Sequence, residues 1–271
     1  MLDTRYTAVA YYVPAHPQRI LVLAHGYPWP DGTVSDETLT GYARADVQRW
    51  AAFAEANNVM LLAPAFGGRN FLHYGQMLGR LFRPDKFIDE LVDGPAARLL
   101  PHFNGRFNLH GHSAGGQFAA RYLVMHADRL DQVILSAPST YPMPDPGITW
   151  PYGMAHGTAK ALLGLVGGEE ATKEQGAAFV PNPDGWLGAA TQTSVTVLVG
   201  SRDTETRPPA EGQRGSTRIQ RAESWVTAMR QFTALHGKEC NIRFVSVQGL
   251  AHDEAAMAIP AQKIFAQRWA Q

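Results

Sequence analysis

Short apolar runs alternate with amphipathic stretches along the whole of the 271-residue chain. This alternation limits the possible folds more than any other feature. A helix with one apolar stripe must bury it on a sheet, and a strand covered on both faces reads as a continuous apolar run. The runs at 6–13, 19–24, 59–63, 107–110, 132–135, 195–200 and 242–247 are the strand candidates. Between them, 46–56 places Val47, Trp50, Ala51 and Ala54 on one helical face and stops at Asn57-Asn58. The 114–127 stretch carries Phe118, Tyr122 and Met125 at helical spacing. The 218–236 stretch presents Ala222, Trp225, Val226, Met229 and Phe232 and ends at Gly237. A last helix is predicted over 254–270. The fold class is therefore α/β, with strands and helices alternating around a sheet covered on both faces.

One segment interrupts the rhythm. Residues 138–190 carry Pro138, Pro142, Pro144, Pro146 and Pro151 early on, and only one short helix is predicted there, over 159–166. A long irregular insertion between two strands is usually functional. It is read as a cap (138–190) over a site, inside a single domain spanning 1–271.

Composition excludes several classes. Hydrophobic residues make up 45% and charged residues 18%, which suits a packed core and not a disordered chain. Lys plus Arg and Asp plus Glu are both 24, so no overall charge draws the chain to nucleic acid or an anionic membrane. Cys240 stands alone and cannot form an intrachain disulfide, the start shows no basic-then-apolar leader, and the apolar run at 161–166 is far too short to span a bilayer. A cytoplasmic location is expected. The composition says nothing of oligomeric state.

The motif with chemical content is Gly111-His112-Ser113-Ala114-Gly115, set between a predicted strand and a predicted helix. G-x-S-x-G in that context is a nucleophile elbow, a tight turn that lifts a serine hydroxyl above the sheet. At this chain's glycine and serine contents, chance would supply roughly 0.08 matches, before the strand–helix context is counted. A serine hydroxyl needs a base to take its proton. His252, in Gly249-Leu250-Ala251-His252 after the last strand, stands at the sheet edge where the elbow lies. Asp203, in Gly200-Ser201-Arg202-Asp203 after the preceding strand, is the candidate that orients the imidazole, with Glu205 as runner-up. Acyl transfer also needs N–H donors for a developing oxyanion. Ala114, next to the nucleophile, is one; Tyr27, in His25-Gly26-Tyr27-Pro28 after an early strand, is the other, because Pro28 has no N–H. His25 is expected to fix this loop through a backbone bond.

These segments, LVLAHGYP, LHGHSAGG, VLVGSRD and QGLAH in that order, resemble the α/β-hydrolase family, most nearly its small serine esterases and polyhydroxyalkanoate-depolymerase-like hydrolases. The resemblance implies a twisted, mostly parallel sheet with an antiparallel start. It also implies Ser113 as nucleophile, His252 as base and Asp203 as acid. Aromatics crowd the expected rim, and Trp29, Phe66, Trp150, Tyr152 and Trp186 are the predicted substrate-binding walls, apolar as suits an acyl or aryl ester.

No phosphate-binding glycine loop, dinucleotide fingerprint or H-E-x-x-H is present. The pair His110-x-His112 resembles metal spacing but lacks an acidic partner, so no metal and no cofactor are expected. The expected function is carboxylic ester hydrolysis through an acyl-enzyme, on a small-molecule or polymeric ester. The alternatives are a binding module or receptor on the same scaffold, or a peptidase or thioesterase using the same three residues.

Overall fold

The computed structural model describes residues 2–3, 7–27, 34–67, 71, 74–77, 83–156 and 182–270. Eight strands form one sheet in the order β1-β2-β4-β3-β5-β6-β7-β8. They are β1 (Leu2–Asp3), β2 (Ala8–Tyr12), β3 (Arg19–Ala24), β4 (Val59–Pro64), β5 (Phe107–His112), β6 (Leu130–Ser136), β7 (Ser194–Gly200) and β8 (Ile242–Val247). The first three in that spatial order pair antiparallel, with Val9 opposite Pro64; from β4 onward every pairing is parallel. The described helices are α1 (Asp36–Ala56), α2 (Pro84–Leu91), α3 (Ala114–Met125), α4 (Asp184–Thr191), α5 (Arg218–Leu235) and α6 (Glu254–Trp269), with short 3₁₀ and π turns between some of them.

The continuous apolar strands arise because both faces are covered. In β3, Leu21 and Leu23 point to the layer of α1 and α6, where Trp50, Ala54, Met257 and Phe265 lie buried. Ile20 and Val22 point the other way, toward Phe118 of α3, Ile88 of α2, Trp186 of α4 and Trp225 of α5. Full burial of one such large apolar side chain contributes roughly 2–3 kcal/mol.

α1 begins ten residues before the 46–56 stretch where periodicity suggested it. Ser35 caps it by accepting the Thr38 N–H at 3.2 Å, and Asp36 and Glu37 fill the first turn. Over 36–45 only Leu39 and Ala43 reach the core, too sparse a stripe to stand out. No helix is predicted over α2; it starts on Pro84, which suits a first helical position. The predicted helix at 159–166 lies outside the described residues.

The chain runs from β3 to β4 on one side, then crosses to β5 on the other side of β3, and continues outward through β8. The order therefore reverses at β3/β5. In open α/β sheets a crevice forms beyond the carboxyl ends of the strands at such a reversal. The loop after β3 and the turn after β5 both open there.

Candidate active site

Ser113 occupies the β5–α3 turn with φ 52° and ψ −112°, a conformation costly for a residue with a side chain. Its neighbours allow it. A Cβ at Gly111 would stand 2.1 Å from the Gly115 carbonyl oxygen, and one at Gly115 would stand 1.9 Å from that of Ala24. No other residue fits at either position. The Ser113 N–H donates to the Ser136 carbonyl at 2.8 Å, and its own carbonyl accepts from Gln117 at 3.0 Å, so the turn is anchored on both sides.

Two loops bring the remaining groups in. Gly200 closes β7, and a Cβ there would meet the Leu250 carbonyl at 2.4 Å. That clearance lets the 248–251 loop lie against the 201–203 loop. Arg202 N–H donates to the Leu250 carbonyl at 2.8 Å, and Gly249 N–H donates to Ser201 Oγ at 2.9 Å. The result is a continuous chain: His252 Nε2 lies 3.1 Å from Ser113 Oγ, and His252 Nδ1 lies 2.8 Å from Asp203 Oδ2. Residues 139 positions apart in sequence are thereby within hydrogen-bond reach. A hydroxyl with an imidazole on one side, itself held by a carboxylate, can act as an activated nucleophile.

Asp203 is buried. Burial alone would raise its carboxyl, but the hydrogen bond from His252 and the Arg218 guanidinium outweigh that and hold it below the usual carboxylate range. Arg218 Nη1 donates to Asp203 Oδ1 at 2.8 Å. Glu205, the runner-up acid, bonds Arg218 at 3.1 Å and makes an ion pair with Arg207; it shows no bond to His252.

Tyr27 and Ala114 line the same cavity of about 540 Å³ as Ser113 and His252. The loop that carries Tyr27 is fixed at three points. His25 Nδ1 donates to the Gly26 carbonyl at 2.6 Å, the Tyr74 hydroxyl donates to the His25 carbonyl, and Gly26 N–H donates to Glu254 Oε1 at 3.1 Å. Glu254, the first residue of α6, is raised by burial, against the opposing pull of the Gly26 N–H. Asp46 on α1 is also raised, to about 8, by burial and by Glu254; its contact with Arg49 opposes the shift and does not overcome it. Sequence patterning missed Glu254 and Arg218, because a charged residue opening a helix reads as an exposed one.

The predicted walls need correction. Phe66, Trp150 and Trp186 do not line this cavity. Phe66 packs between Phe71, Tyr74 and Phe118 in the core, and Trp150 meets Trp186 edge-on at 6.3 Å, both buried. Trp186 and Trp225 each donate an indole N–H to the Pro142 carbonyl, at 3.0 and 2.9 Å, which ties residues 138–156 to the body. Tyr152 stacks on Arg121 at 5.7 Å and also stands away from the cavity lining. Trp29 lies outside the described residues. The described lining is polar instead: Gln117, Ser139, Glu205, Arg207 and Glu254 surround the nucleophile, with Tyr42 as an aromatic wall. Aromatics of this size gain more from complete burial than from a wet rim, and the body had room for them.

Burial pushes His110 down to about 3 and His112 well below its usual range, and among the described residues no group of three or more His, Cys, Asp or Glu side chains is placed to hold a metal ion. A larger cleft of about 820 Å³ sits at the amino ends of the strands, beside Arg19, Arg106 and Trp269. It contains no nucleophile–base pair, so size does not select the site. No helix among the described residues is long and apolar enough to cross a membrane.

No family model and no curated protein matches the sequence. Solved structures do. Poly(aspartic acid) hydrolase-1 from Sphingomonas sp. KT-1 aligns with a TM-score of 0.67 at 22% identity, over 94% of this chain and 92% of that one. The poly(3-hydroxybutyrate) depolymerase LpqC from Bordetella parapertussis aligns with a TM-score of 0.69 at 20% identity, over 95% of this chain and 82% of that one. An S-formylglutathione hydrolase from Agrobacterium tumefaciens aligns with a TM-score of 0.55 at 12% identity, over 97% of this chain and 88% of that one. The fold is the α/β-hydrolase fold.

Proposed function

We propose that the protein is a serine hydrolase that cleaves carboxylic esters through an acyl-enzyme. The observation that carries this reading is the hydrogen-bonded chain Asp203–His252–Ser113, with Ser113 on a strained turn at the reversal point of the sheet. Ser113 Oγ attacks the ester carbonyl carbon while His252 Nε2 takes its proton. The carbonyl oxygen gains negative charge and meets the N–H groups of Ala114 and Tyr27. The intermediate collapses, and His252 returns the proton to the departing alcohol. Water then attacks the acyl-serine by the same route and releases the acid. Asp203 keeps the imidazole in the orientation this needs and stabilises its charged form.

The polar cavity supports a hydrophilic or short acyl group over a long alkyl chain. A second reading, hydrolysis of amide bonds in a hydrophilic polymer, is favoured by Arg207 and Gln117 on the wall and by likeness to a poly(aspartic acid) hydrolase. The test is a fluorophosphonate probe together with p-nitrophenyl esters of increasing acyl length, a poly(3-hydroxybutyrate) film and poly(aspartic acid). Wild type is expected to label at Ser113 and to prefer acetate, and Ser113→Ala to lose labelling and turnover together. Ester turnover surviving in Ser113→Ala refutes the nucleophile. Labelling with no turnover on any substrate favours the receptor alternative.

A further inference from the structure

Arg218 is the first residue of α5, and only 3% of its side chain is exposed. The turn that aims it is closed by a capping box. Thr217 Oγ1 accepts the Gln220 N–H at 3.3 Å, while Gln220 Oε1 accepts from Thr217 N–H at 3.2 Å and Ser216 N–H at 2.8 Å. Its Nη1 reaches Asp203 Oδ1 and Glu205 Oε2, and its Nε is buried without a hydrogen-bond partner. A guanidinium left with a bare buried N–H is not there for hydrogen-bond economy alone.

We propose that Arg218 is a positioning residue: its guanidinium, bonded to the far oxygen of Asp203, fixes that carboxylate against His252 and offsets part of its charge. The proposal rests on the reading of Ser113, His252 and Asp203 given above. A carboxylate bonded to an imidazole raises its affinity for a proton. A cation on the far oxygen of that carboxylate opposes the effect. Arg218 also touches Glu205, but 49% of that side chain is exposed against 1% of the Asp203 side chain. Water screens the first pair, so the field of Arg218 acts mainly on Asp203.

The other groups facing this network are few. His112 of β5 and Tyr141 of the loop after β6 are buried, and burial keeps both neutral across the working range. Arg221 on α5 reaches the Arg207 carbonyl on the Asp203 loop at 3.4 Å, and a change at Arg218 leaves both side chains in place. Glu254 acts on His252 from α6, and a change at Arg218 leaves it in place. The Asp203–His252 pair is thus what a change at Arg218 would move.

The experiment is the pH profile of kcat/KM for p-nitrophenyl acetate, with active sites counted by fluorophosphonate so that unfolded protein drops out. In Arg218→Met the acidic limb is expected about one pH unit higher than in wild type, because either a more basic His252 or a protonated Asp203 extends the inactive range upward. Arg218→Lys is expected to restore the limb with a reduced rate, since it keeps the charge and loses the planar fork. A lowered rate with an unmoved limb in Arg218→Met, or no restoration by lysine, overturns the proposal. If neither variant folds, Gln220→Ala decides: it opens the capping box that aims Arg218 without changing a charge, and the limb is expected a few tenths of a unit higher, even in about 0.5 M salt. No displacement, or one erased by salt, overturns it. Ester turnover in Ser113→Ala would sink the hydrolase reading itself, whereas a labelled enzyme with an unmoved limb sinks only the role of Arg218.

Discussion

Asp203 and Glu254 serve different flanks of Ser113. Asp203 holds the imidazole; Glu254 holds the Gly26 N–H and with it the loop that presents Tyr27. Both are carboxyls largely removed from water, yet they are pushed in opposite directions. Asp203 has a guanidinium at 2.8 Å and a hydrogen-bonded imidazole. Glu254 has the buried carboxyl of Asp46 behind it, and Arg49 is the chief cation nearby. Residue type does not decide which carboxyl stays ionised; the nearest charge does. The imidazole flank is therefore built on charge. The Gly26–Tyr27 flank is built on hydrogen bonds, and the Glu254 oxygen that accepts one of them works whether or not the carboxyl carries a proton.

The largest expected effect tests the charged flank. Asp203→Asn keeps the shape but removes the charge and presents the wrong donor, and kcat is expected to fall roughly 10³–10⁴-fold. The matching change on the other flank, Glu254→Gln, retains an oxygen for the Gly26 N–H and is expected to cost less than about fivefold. Glu254→Ala, which removes one of the three ties on that loop, is expected to cost about tenfold in kcat with KM little changed, because an oxyanion donor acts chiefly in the transition state. Steady-state kinetics on a short ester would check all three. A Glu254→Gln loss as severe as that of Asp203→Asn would break the contrast.

A smaller effect, on stability, sharpens it. Asp46 is raised in the folded protein to about 8 from an ordinary value near 3.8. Between those values the folded chain keeps a proton that the unfolded chain gives up, so the contribution of Asp46 to stability is highest below about 4 and declines as pH rises toward about 8. Asp46→Asn has no such proton and is expected to show a flatter Tm against pH over that range. An equal decline in both proteins would mean that Asp46 is ionised and paired with Arg49, and that this region carries charge after all.

Ser113 and Asp203 were legible because each sits near glycines dictated by backbone approach, and His252 because it follows the last strand. Gly111, Gly115 and Gly200 leave no room for a Cβ, and such positions show in the sequence as glycine beside Ser113 and shortly before Asp203. The strands were legible because burial on both faces makes them continuous apolar runs. The supporting charges were not. Arg218 and Glu254 open helices, where sequence places charge for capping and solvation, and only the tertiary fold turns them inward. The aromatics misled in the opposite way. Phe66 follows a strand, and Trp150 and Trp186 lie in the insertion read as a cap, but an aromatic side chain names no direction, and all three are buried in the core.

Asp85 offers the same chemistry as Asp203 without a nucleophile. On α2 it receives Arg83 Nε at 3.0 Å and lies 3.0 Å from His126 Nε2. Burial opposes ionisation, but these partners win and hold it down at about 2. Its depression below the ordinary 3.8 means its contribution, about 2 kcal/mol, is fully present at neutral pH and is lost as pH falls from near 4 through about 2. Asp85→Asn is expected to lower Tm by roughly 4–8 °C at neutral pH and to remove that acid-side loss. It should leave kcat/KM within about twofold, because neither partner faces the cavity. Thermal melts across pH beside ester kinetics would measure both. A rate loss well beyond twofold would mean that an arginine-backed carboxylate acts on this protein through the rigidity of the whole body, and the electrostatic distinction between the two flanks would lose its force.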